Sequence, residues 1–348
     1  MALPFFHPWR FGLAWLLAGA LPGCQRLRPV AAATFTNPLL PSGPDPWVVQ
    51  RAGYYYFLAT TGGNITIRKT ARMAELGAAP AVVVWAPRPG TPNGSHIWAP
   101  ELHWLAGKWY IYYTAGPAGE RCCGGQRAWV LENASPDPTT GTWVEKARLA
   151  SPSRDLWAID LTVFELRHRR YAVWSGQEAG SDQQNLYISA MRNPWTLTGP
   201  RICLSQPTLP WELHGLPKVN EGPEVVQHGG KVFIVYSASH CGTDDYALGL
   251  LTLSGRDPLV AAAWTKAPAP LLVQSPASHA YGPGHSGFFT SKDGTQSWLI
   301  YHANSRPGEG CGDRRSPRMQ QFFWNADGSP RFGPPAEVGV PLPRPAGE

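Results

Sequence analysis

The sequence predicts an all-β fold, a five-bladed β-propeller, on three observations. Turn-forming residues are abundant, with 37 glycines and 36 prolines, whereas only 16% of the residues are charged. Short aromatic and β-branched runs lie between the turns, and no stretch keeps the apolar spacing of an amphipathic helix. Five such segments repeat one design along the chain, which is typical of a closed propeller.

The first 33 residues are predicted to be a signal peptide and a short linker, followed by a single propeller domain over residues 34–348. Arg10 supplies a positive charge, and the apolar run that begins at Phe11 is too short to span a bilayer. Leu21-Pro22-Gly23-Cys24 is similar to a bacterial lipoprotein signal in which Cys24 is lipidated, while simple cleavage after Ala33 stays open. In either case the protein is expected to be exported, to a periplasmic, outer-membrane-anchored or extracellular location.

Each repeated segment has a polar or small residue, a short apolar run, a turn and an aromatic-rich run. Their first residues are 54 to 64 positions apart, which leaves room for a four-stranded blade and its loops. A turn residue follows eight positions after each start, at Gly53, Gly107, His168, Gly229 and Asp293. The starts are Asp45, Ala99, Asp160, Glu221 and His285. Because the first strand of each blade lines the central channel, the five starts are expected to meet at one mouth of it.

Three of the five starting residues are acids, and their meeting in one channel indicates a functional site. Buried carboxylates repel one another and lose hydration, so such a cluster is a poor structural choice. Each acid alone has a simpler explanation, because Asp45-Pro46 is a turn signal and Glu221-Gly222-Pro223 can be a bend. Independent turn acids need not share one register position, however, and the shared position favours a functional interpretation.

Carboxylates that face each other across a channel suit the cleavage of a glycosidic bond. This reaction needs an acid on the leaving oxygen and a base or nucleophile on the opposite face of the sugar. Asp45 and Glu221 belong to non-adjacent blades, so they can leave room for a water molecule between them, which favours inversion. The charge of Asp160 would keep Glu221 protonated near neutral pH and so separate the two roles.

Aromatic residues beside the starts suit the faces of sugar rings. Trp98, Trp157 and Tyr281 come just before the second, third and fifth starts, where substrate binding and ordinary core packing are both open. His285 has three open roles, as a catalytic partner, a metal ligand or a hydrogen-bonded channel residue.

The cysteines predict a disulfide at the channel mouth. The loops that follow the second strand of each hairpin form this rim, and they contain Cys122, Cys123, Cys241 and Cys311. A bond between Cys241 and Cys311 is favoured, because their blades are neighbours and the protein is exported. The sequence has no Cys-x-x-Cys pair, so a structural zinc site is not expected.

Six motifs together resemble glycoside hydrolase family 43, the family of arabinanases, arabinofuranosidases and β-xylosidases. They are Asp45-Pro46-Trp47, His96-Ile97-Trp98-Ala99-Pro100-Glu101-Leu102, Ala158-Ile159-Asp160-Leu161-Thr162-Val163-Phe164, Val219-Asn220-Glu221-Gly222-Pro223-Glu224, Tyr281-Gly282-Pro283-Gly284-His285 and Tyr301-His302-Ala303. The resemblance implies an inverting five-bladed propeller enzyme. It implies the general base on Asp45, a modulator on Asp160 and the general acid on Glu221.

The resemblance also bears on three further residues. Family members often hold a central calcium through the histidine that matches His285, so calcium is expected there, although the chemistry does not require it. Arg318 resembles a family arginine near the active-site acids, which places it among the substrate-binding candidates. Glu224 competes with Glu221 as the acid, but the odd spacing in an extended strand turns their side chains to opposite faces and favours Glu221.

The Asn-Glu-Gly-Pro and Gly-Pro-Gly-His forms are most similar to the branch of the family with α-L-arabinofuranosidases. This similarity implies exo-acting release of arabinose from arabinan or arabinoxylan side chains of plant cell walls. A β-xylosidase or endo-arabinanase, or a sugar-binding propeller without catalysis, stays open. No nucleic-acid partner is expected, because the net charge of +6 is mild and its one basic cluster, at residues 167–170, falls on a predicted turn. A membrane would be contacted only through a lipid anchor on Cys24.

Overall fold

The computed structural model describes residues 1, 33–120, 123–152 and 154–348. The predicted leader with Cys24, and the rim residue Cys122, therefore lie outside the described residues. The segment Ala33–Glu348 forms one compact unit of strands, loops and a few short 3₁₀ helices. Within the described residues, no helix is long and apolar enough to cross a membrane.

The unit is a five-bladed β-propeller, as predicted. In chain order its strands are β1 (Thr34–Phe35), β2 (Trp47–Arg51), β3 (Tyr54–Leu58), β4 (Ile65–Thr70), β5 (Ala81–Trp85), β6 (Ser95–Leu105), β7 (Lys108–Gly116), β8 (Arg127–Asn133), β9 (Val144–Leu149), β10 (Ala158–Leu166), β11 (Arg169–Gly176), β12 (Asn185–Asn193), β13 (Thr196–Ser205), β14 (Asn220–His228), β15 (Lys231–Ala238), β16 (Ala247–Leu253), β17 (Trp264–Lys266), β18 (Tyr281–Thr290), β19 (Ser297–Asn304), β20 (Ser316–Trp324), β21 (Pro330–Arg331) and β22 (Leu342–Pro343). The 3₁₀ helices are Met73–Ala78, Pro210–Glu212, Ala261–Ala263 and Pro276–Ser278.

Each blade is an antiparallel sheet of four strands that are consecutive in the chain. Blade 1 contains β2–β5, blade 2 β6–β9, blade 3 β10–β13, blade 4 β14–β17 and blade 5 β18–β21. The first strands of neighbouring blades contact one another, and β18 of blade 5 contacts β2 of blade 1, which closes the ring.

Five clusters of buried apolar side chains fill the five interfaces between blades. Trp109 is fully buried between blades 1 and 2, and Tyr236 between blades 3 and 4. Aromatic rings of this size each bury about 150–250 Å². Because both faces of a blade are covered, its inner strands are apolar on both sides, which explains the short aromatic runs of the sequence.

The N-terminal segment fastens blade 5 to blade 1. β1 pairs with β22 near the C-terminus, and the buried side chain of Asn37 exchanges two 2.9 Å hydrogen bonds with the backbone of Met319 in β20. The backbone amide of Gly43 donates to the carbonyl oxygen of Arg315, just ahead of β20. The segment therefore runs from blade 5 directly to Asp45 at the start of blade 1.

The first strands are irregular at one mouth of the channel. The pairing of β6, β10, β14 and β18 with their second strands shifts there, as in a β-bulge. At one equivalent position in each blade the backbone is left-handed, with φ of 42–54°, and the residues there are Asp45, Ala99, Asp160, Gly222 and His285. We call this the channel position. For a residue other than glycine, such a conformation costs about 1–3 kcal/mol and often accompanies a functional site.

The predicted register is confirmed in four blades and wrong by one residue in blade 4. There Gly222, not Glu221, occupies the channel position. The hairpin turn of blade 1 is Ala52-Gly53, and its counterpart in blade 4 is Gly229-Gly230, between β14 and β15. The repeat in the sequence had aligned Gly53 with Gly229, although its counterpart is Gly230. Two consecutive glycines do not show which of them corresponds to Gly53.

Candidate active site

Asp45 is held by polar groups on several sides. Its Oδ1 accepts a 2.9 Å hydrogen bond from Nη1 of Arg315, and its Oδ2 accepts a 2.6 Å hydrogen bond from Oγ1 of Thr60. The side chains of Asp45 and Arg315 are only 11% and 13% exposed, so this ion pair is shielded from solvent. An ion pair of this kind is stronger than one on the surface.

Two histidines also face Asp45. Nδ1 of His285 and Nδ1 of His302 lie 3.4 and 3.5 Å from Oδ1 of Asp45. Nδ1 of His302 accepts the backbone N–H of Asp45 at 3.0 Å, so the ring proton of a neutral His302 lies on Nε2. Burial holds the pKa of His302 well below its usual value.

These contacts determine the protonation of Asp45. Burial alone would raise its pKa, but the positive charge of Arg315, the two histidines and the Thr60 hydrogen bond together lower it below its usual value. Asp45 is therefore a carboxylate throughout the neutral range, as a general base must be.

Glu221 has the opposite electrostatic environment. It lies in β14 one residue before the channel position, and Oη of Tyr246 donates a 3.0 Å hydrogen bond to its Oε1. Burial and the negative charge of Asp45 raise the pKa of Glu221 to about 7, although Tyr246 and Arg315 act in the other direction. Glu221 can therefore carry a proton near neutral pH, as a general acid must.

Asp160 is buried, with 5% of its surface exposed, and the charges of both Asp45 and Glu221 act on it. Its Oδ2 accepts a 2.9 Å hydrogen bond from the backbone N–H of Gly222, which ties it to the strand that carries Glu221. Burial and the charges of Glu221 and Asp45 raise the pKa of Asp160, whereas His285 lowers it. The pKa values of Asp160 and Glu221 are thus both raised, and a negative charge on one of these carboxyls disfavours ionisation of the other.

Glu224 is not turned away from Glu221 by regular strand alternation, as had been expected. Pairing shifts between Glu221 and Glu224, so the regular alternation of a strand does not apply. Glu224 lies two residues after the channel position of blade 4, as Glu101 does in blade 2. Both are buried, and the pKa of Glu101 is well above its usual value because of burial and the charge of Glu224. Glu224 thus belongs to a second acidic pair along the channel, while Glu221 keeps the contact with Tyr246.

The three aromatic candidates lie at the mouth, and each is partly exposed. Trp98 is in β6 beside the ring of His96, and Tyr281 is the first residue of β18. The indole Nε1 of Trp157 donates a 2.7 Å hydrogen bond to the carbonyl of Cys123 in the neighbouring rim loop. Their assignment to substrate binding stays a prediction.

Of the two arginines in Arg315-Ser316-Pro317-Arg318, the one in contact with Asp45 is Arg315 and not the predicted Arg318. Arg318 lies inside β20 and is fully buried, and its Nη2 donates to the carbonyl of Asn304 and to Oγ of Ser305. β20 begins at Ser316, so Arg315 still belongs to the rim loop and can reach the channel.

Sequence reasoning missed Arg315, Tyr246 and His302 as members of the site. His302 stands in the motif Tyr301-His302-Ala303 noted above, and Arg315 lies three positions before the predicted Arg318. Tyr246 follows the rim loop of blade 4 and has no neighbouring motif. Only the approach of blades 4 and 5 brings its ring onto His302, with the centroids 5.7 Å apart.

The predicted disulfide between Cys241 and Cys311 is confirmed, with its Cα atoms 5.1 Å apart. It joins the rim loops of blades 4 and 5. Together with His240 these two cysteines form a cluster of metal-binding residue types in the described chain, but both sulfurs are engaged in the disulfide.

Calcium at His285 stays a prediction, and the protein donors beside the ring are few. Calcium takes six to eight oxygen ligands. The ring of His285 offers nitrogen, and the nearby Asp45 carboxylate already pairs with Arg315 and Thr60. These residues alone do not form a calcium cage, so water molecules would supply most of the ligands of a bound calcium.

Comparison with known proteins agrees with this geometry. The family model "Glycosyl hydrolases family 43" matches residues 35–330. The chain is 42% identical over 319 residues to an extracellular exo-α-(1→5)-L-arabinofuranosidase of Streptomyces avermitilis, covering 89% of this chain and 65% of that protein. It is 40% identical over 290 residues to an extracellular exo-α-(1→5)-L-arabinofuranosidase of Streptomyces chartreusis, covering 82% of this chain and 86% of that one.

A solved structure shows the same fold. The crystal structure of an α-L-arabinofuranosidase from Lactobacillus brevis superposes with a TM-score of 0.82 at 34% identity, covering 88% of this chain and 98% of that one. The chain spans about two thirds of the length of the Streptomyces avermitilis relative, at 65%. From the matched family model and these relatives, the chain belongs to glycosyl hydrolase family 43.

Proposed function

We propose that this chain is an inverting, exo-acting α-L-arabinofuranosidase in which Asp45 is the general base and Glu221 the general acid. One observation carries the proposal. Two carboxyls of the same channel mouth have pKa values displaced in opposite directions, below the usual value for Asp45 and up to about 7 for Glu221. Pairs of titratable groups separated in this way mark the base and the acid of a hydrolase.

The reaction follows from these protonation states. The Asp45 carboxylate takes a proton from a water molecule while the oxygen of that water attacks the anomeric carbon. The carboxyl of Glu221 gives its proton to the glycosidic oxygen as the bond to that carbon breaks. Asp160 has a supporting role, because it accepts the Gly222 amide next to Glu221 and its own pKa is raised by burial and by the charge of Glu221.

The substrate is proposed from the relatives. Two of them are named exo-α-(1→5)-L-arabinofuranosidases. We therefore propose terminal α-L-arabinofuranosyl groups of arabinan or arabinoxylan side chains as the substrate. The mouth offers Trp98, Trp157 and Tyr281 for stacking on sugar faces.

The test compares wild type with Glu221→Gln on four substrates. These are an aryl α-L-arabinofuranoside, an aryl β-D-xyloside, α-(1→5)-arabino-oligosaccharides and linear arabinan, with the released sugars quantified. We expect wild type to release arabinose from chain ends, with the β-anomer appearing first by proton NMR. Glu221→Gln should lose about 10²–10⁴-fold in kcat on the oligosaccharides, the contribution of a general acid.

The matched control is Glu165→Gln. It makes the same chemical change in β10, at an exposed residue near the far end of the strand, and should leave kcat unchanged. Release of xylose or of internal oligomers would keep the site and change the substrate. Binding of arabino-oligosaccharides without turnover of any substrate by wild type would contradict the enzymatic proposal.

We also infer that the chain is exported. The support is the predicted leader together with the extracellular labels of the two Streptomyces relatives. Cell fractionation and the mass of the mature N-terminus test this inference. A diacylglycerol-modified Cys24 would establish the anchored form, cleavage without lipid the free one, and an intact leader on cytoplasmic protein would contradict export.

A further inference from the structure

The rim loop of blade 5, residues 305–315, joins the disulfide to the catalytic mouth. It connects β19 to β20 and is bonded to blade 4 through Cys311 and Cys241. A second attachment lies earlier in the loop, where the carboxylate of Asp244 accepts the backbone N–H of Gly308 at 2.9 and 3.1 Å. The loop is thus held against blade 4 at two points.

A short chain of contacts leads from the disulfide to Asp45. Gly312 follows Cys311, and its carbonyl oxygen accepts Nε of Arg315 at 3.2 Å. The same guanidinium donates from Nη1 to Oδ1 of Asp45 at 2.9 Å. One edge of Arg315 is therefore fixed by the residue next to the disulfide, and another group of the same planar side chain binds the proposed base.

The other end of Arg315 is also fixed. Its backbone carbonyl accepts the N–H of Gly43, two residues before Asp45. The backbone of Arg315 is thus held by the N-terminal segment and by the Gly312 carbonyl, which also accepts its N–H at 3.4 Å, and the direction of its guanidinium depends on that same carbonyl. A guanidinium is planar with donors in fixed directions, so turning that carbonyl turns the ion pair as well.

We propose that the Cys241–Cys311 disulfide is a positioning element of the active site, which holds the Gly312 carbonyl so that Arg315 is aimed at Asp45. This inference rests on the proposed function, since it takes Asp45 as the base. Arg315 acts through Asp45 and is likewise a positioning residue. The bond thus orients a reacting group in addition to joining two loops.

The experiment uses four proteins in a thermodynamic cycle: wild type, C241S/C311S, R315Q and the variant with all three changes. The measured quantities are kcat and KM on an aryl α-L-arabinofuranoside. We expect C241S/C311S to keep KM within about twofold and to lose about tenfold or more in kcat, since small misplacements of a catalytic group cost this much. The triple variant should be no slower than R315Q, because both changes remove the same alignment.

Controls separate positioning from folding. Cys203→Ser changes a free, partly buried cysteine and should leave kcat unchanged. Should C241S/C311S fail to fold, as judged by circular dichroism, C241A/C311V takes its place in the cycle. A kcat of the disulfide variant within twofold of wild type, a full kcat in R315Q, or losses that multiply in the triple variant would each overturn the proposal.

Failure of the proposed function gives a different result. Wild type would then turn over none of the four substrates, and the crystal structure of C241S/C311S would decide the positioning role. We expect the contact between Arg315 and Asp45 to be broken or split between conformers there. An unchanged ion pair in that crystal structure would overturn the inference.

Discussion

Asp45 and Glu221 carry the same functional group at one channel mouth, yet their neighbours separate their protonation. Arg315, with His285 and His302, outweighs the burial of Asp45 and lowers its pKa. Glu221 is buried near the negative charge of Asp45, and both effects raise its pKa to about 7. The difference comes from which polar groups the two loops and strands bring into contact.

These shifts predict the pH dependence of activity. The base must be ionised and its pKa lies below the usual value, so kcat/KM should stay high through the mildly acidic range. The acid must be protonated, so kcat/KM should fall as the pH rises through about 7. A profile of kcat/KM on arabino-oligosaccharides between pH 4 and 9 checks this, and an alkaline limb that persists in Glu221→Gln would contradict it.

Tyr246→Phe should move the alkaline limb of this profile to higher pH. The hydroxyl stabilises the Glu221 carboxylate and so lowers its pKa, and removing it should raise the pKa by about one unit. Glu221 would stay protonated to higher pH. Tyr110→Phe is the control, because it removes a similar hydrogen bond to Glu132 in blade 2, far along the ring. A downward shift in Tyr246→Phe would show that the hydroxyl stabilises the acid form instead.

At the scale of the strand, the bulges at the mouth set which side chains can meet. In β18 the residue before the channel position is Gly284, where a Cβ would lie 2.2 and 2.4 Å from Cε1 and Cδ1 of Tyr246. Real contacts of this length do not occur, so the Tyr246 ring needs a glycine there. The same ring binds Glu221, which links a glycine in blade 5 to the proposed acid in blade 4.

Gly284→Ala should therefore displace Tyr246 and impair the site. Overpacking costs about 1–3 kcal/mol of unfolding free energy, and kcat should fall about tenfold or more because Glu221 loses its partner. Gly63→Ala is the control, since its Cβ would enter open space. Denaturant unfolding and steady-state kinetics measure both effects, and a fully active, equally stable Gly284→Ala would contradict the close contact.

The second acidic pair, Glu101 and Glu224, predicts a stability effect. Burial raises the pKa of both carboxyls, so the folded protein keeps protons that the unfolded chain loses. The free energy of unfolding should then fall as the pH rises above about 4.5. Glu224→Gln removes one of these groups and should raise the melting temperature at pH 8 more than at pH 4.5, with most of kcat retained.

Glu165→Gln serves as the exposed control for this comparison and should leave the pH dependence of the melting temperature unchanged. Loss of activity in Glu224→Gln equal to that in Glu221→Gln would transfer the role of the acid to Glu224.

At the scale of the whole molecule, the N-terminal segment reinforces the closure of the ring between blades 5 and 1. Asn37→Ala removes two buried hydrogen bonds to the Met319 backbone and leaves that amide and carbonyl unpaired. The expected loss is about 1–3 kcal/mol of unfolding free energy. Asn325→Ala in an exposed turn of the same blade is the control, and thermal unfolding of the two variants measures the difference. Equal stabilities would mean that the segment does not contribute to closure.

The propeller, its five blades and the meeting of Asp45, Asp160 and His285 were predictable from the sequence. Strand periodicity and turn residues are local signals, and their repetition in five hairpins predicts the propeller. The disulfide also followed, because neighbouring blades bring their rim loops together. The register of blade 4 did not follow, since either glycine of Gly229-Gly230 can be matched with Gly53.

Only the tertiary structure decided how the site is completed. Arg315 rather than Arg318 contacts Asp45, because the start of β20 leaves Arg315 in the rim loop. Tyr246 reaches Glu221 within blade 4 while its ring packs on His302 of blade 5, and the bulge in β14 brings Glu224 into line with Glu101. The pKa values depend on these contacts between distant residues. A sequence determines which groups are present and their local geometry, whereas burial and opposing charge arise only when the blades close into a ring.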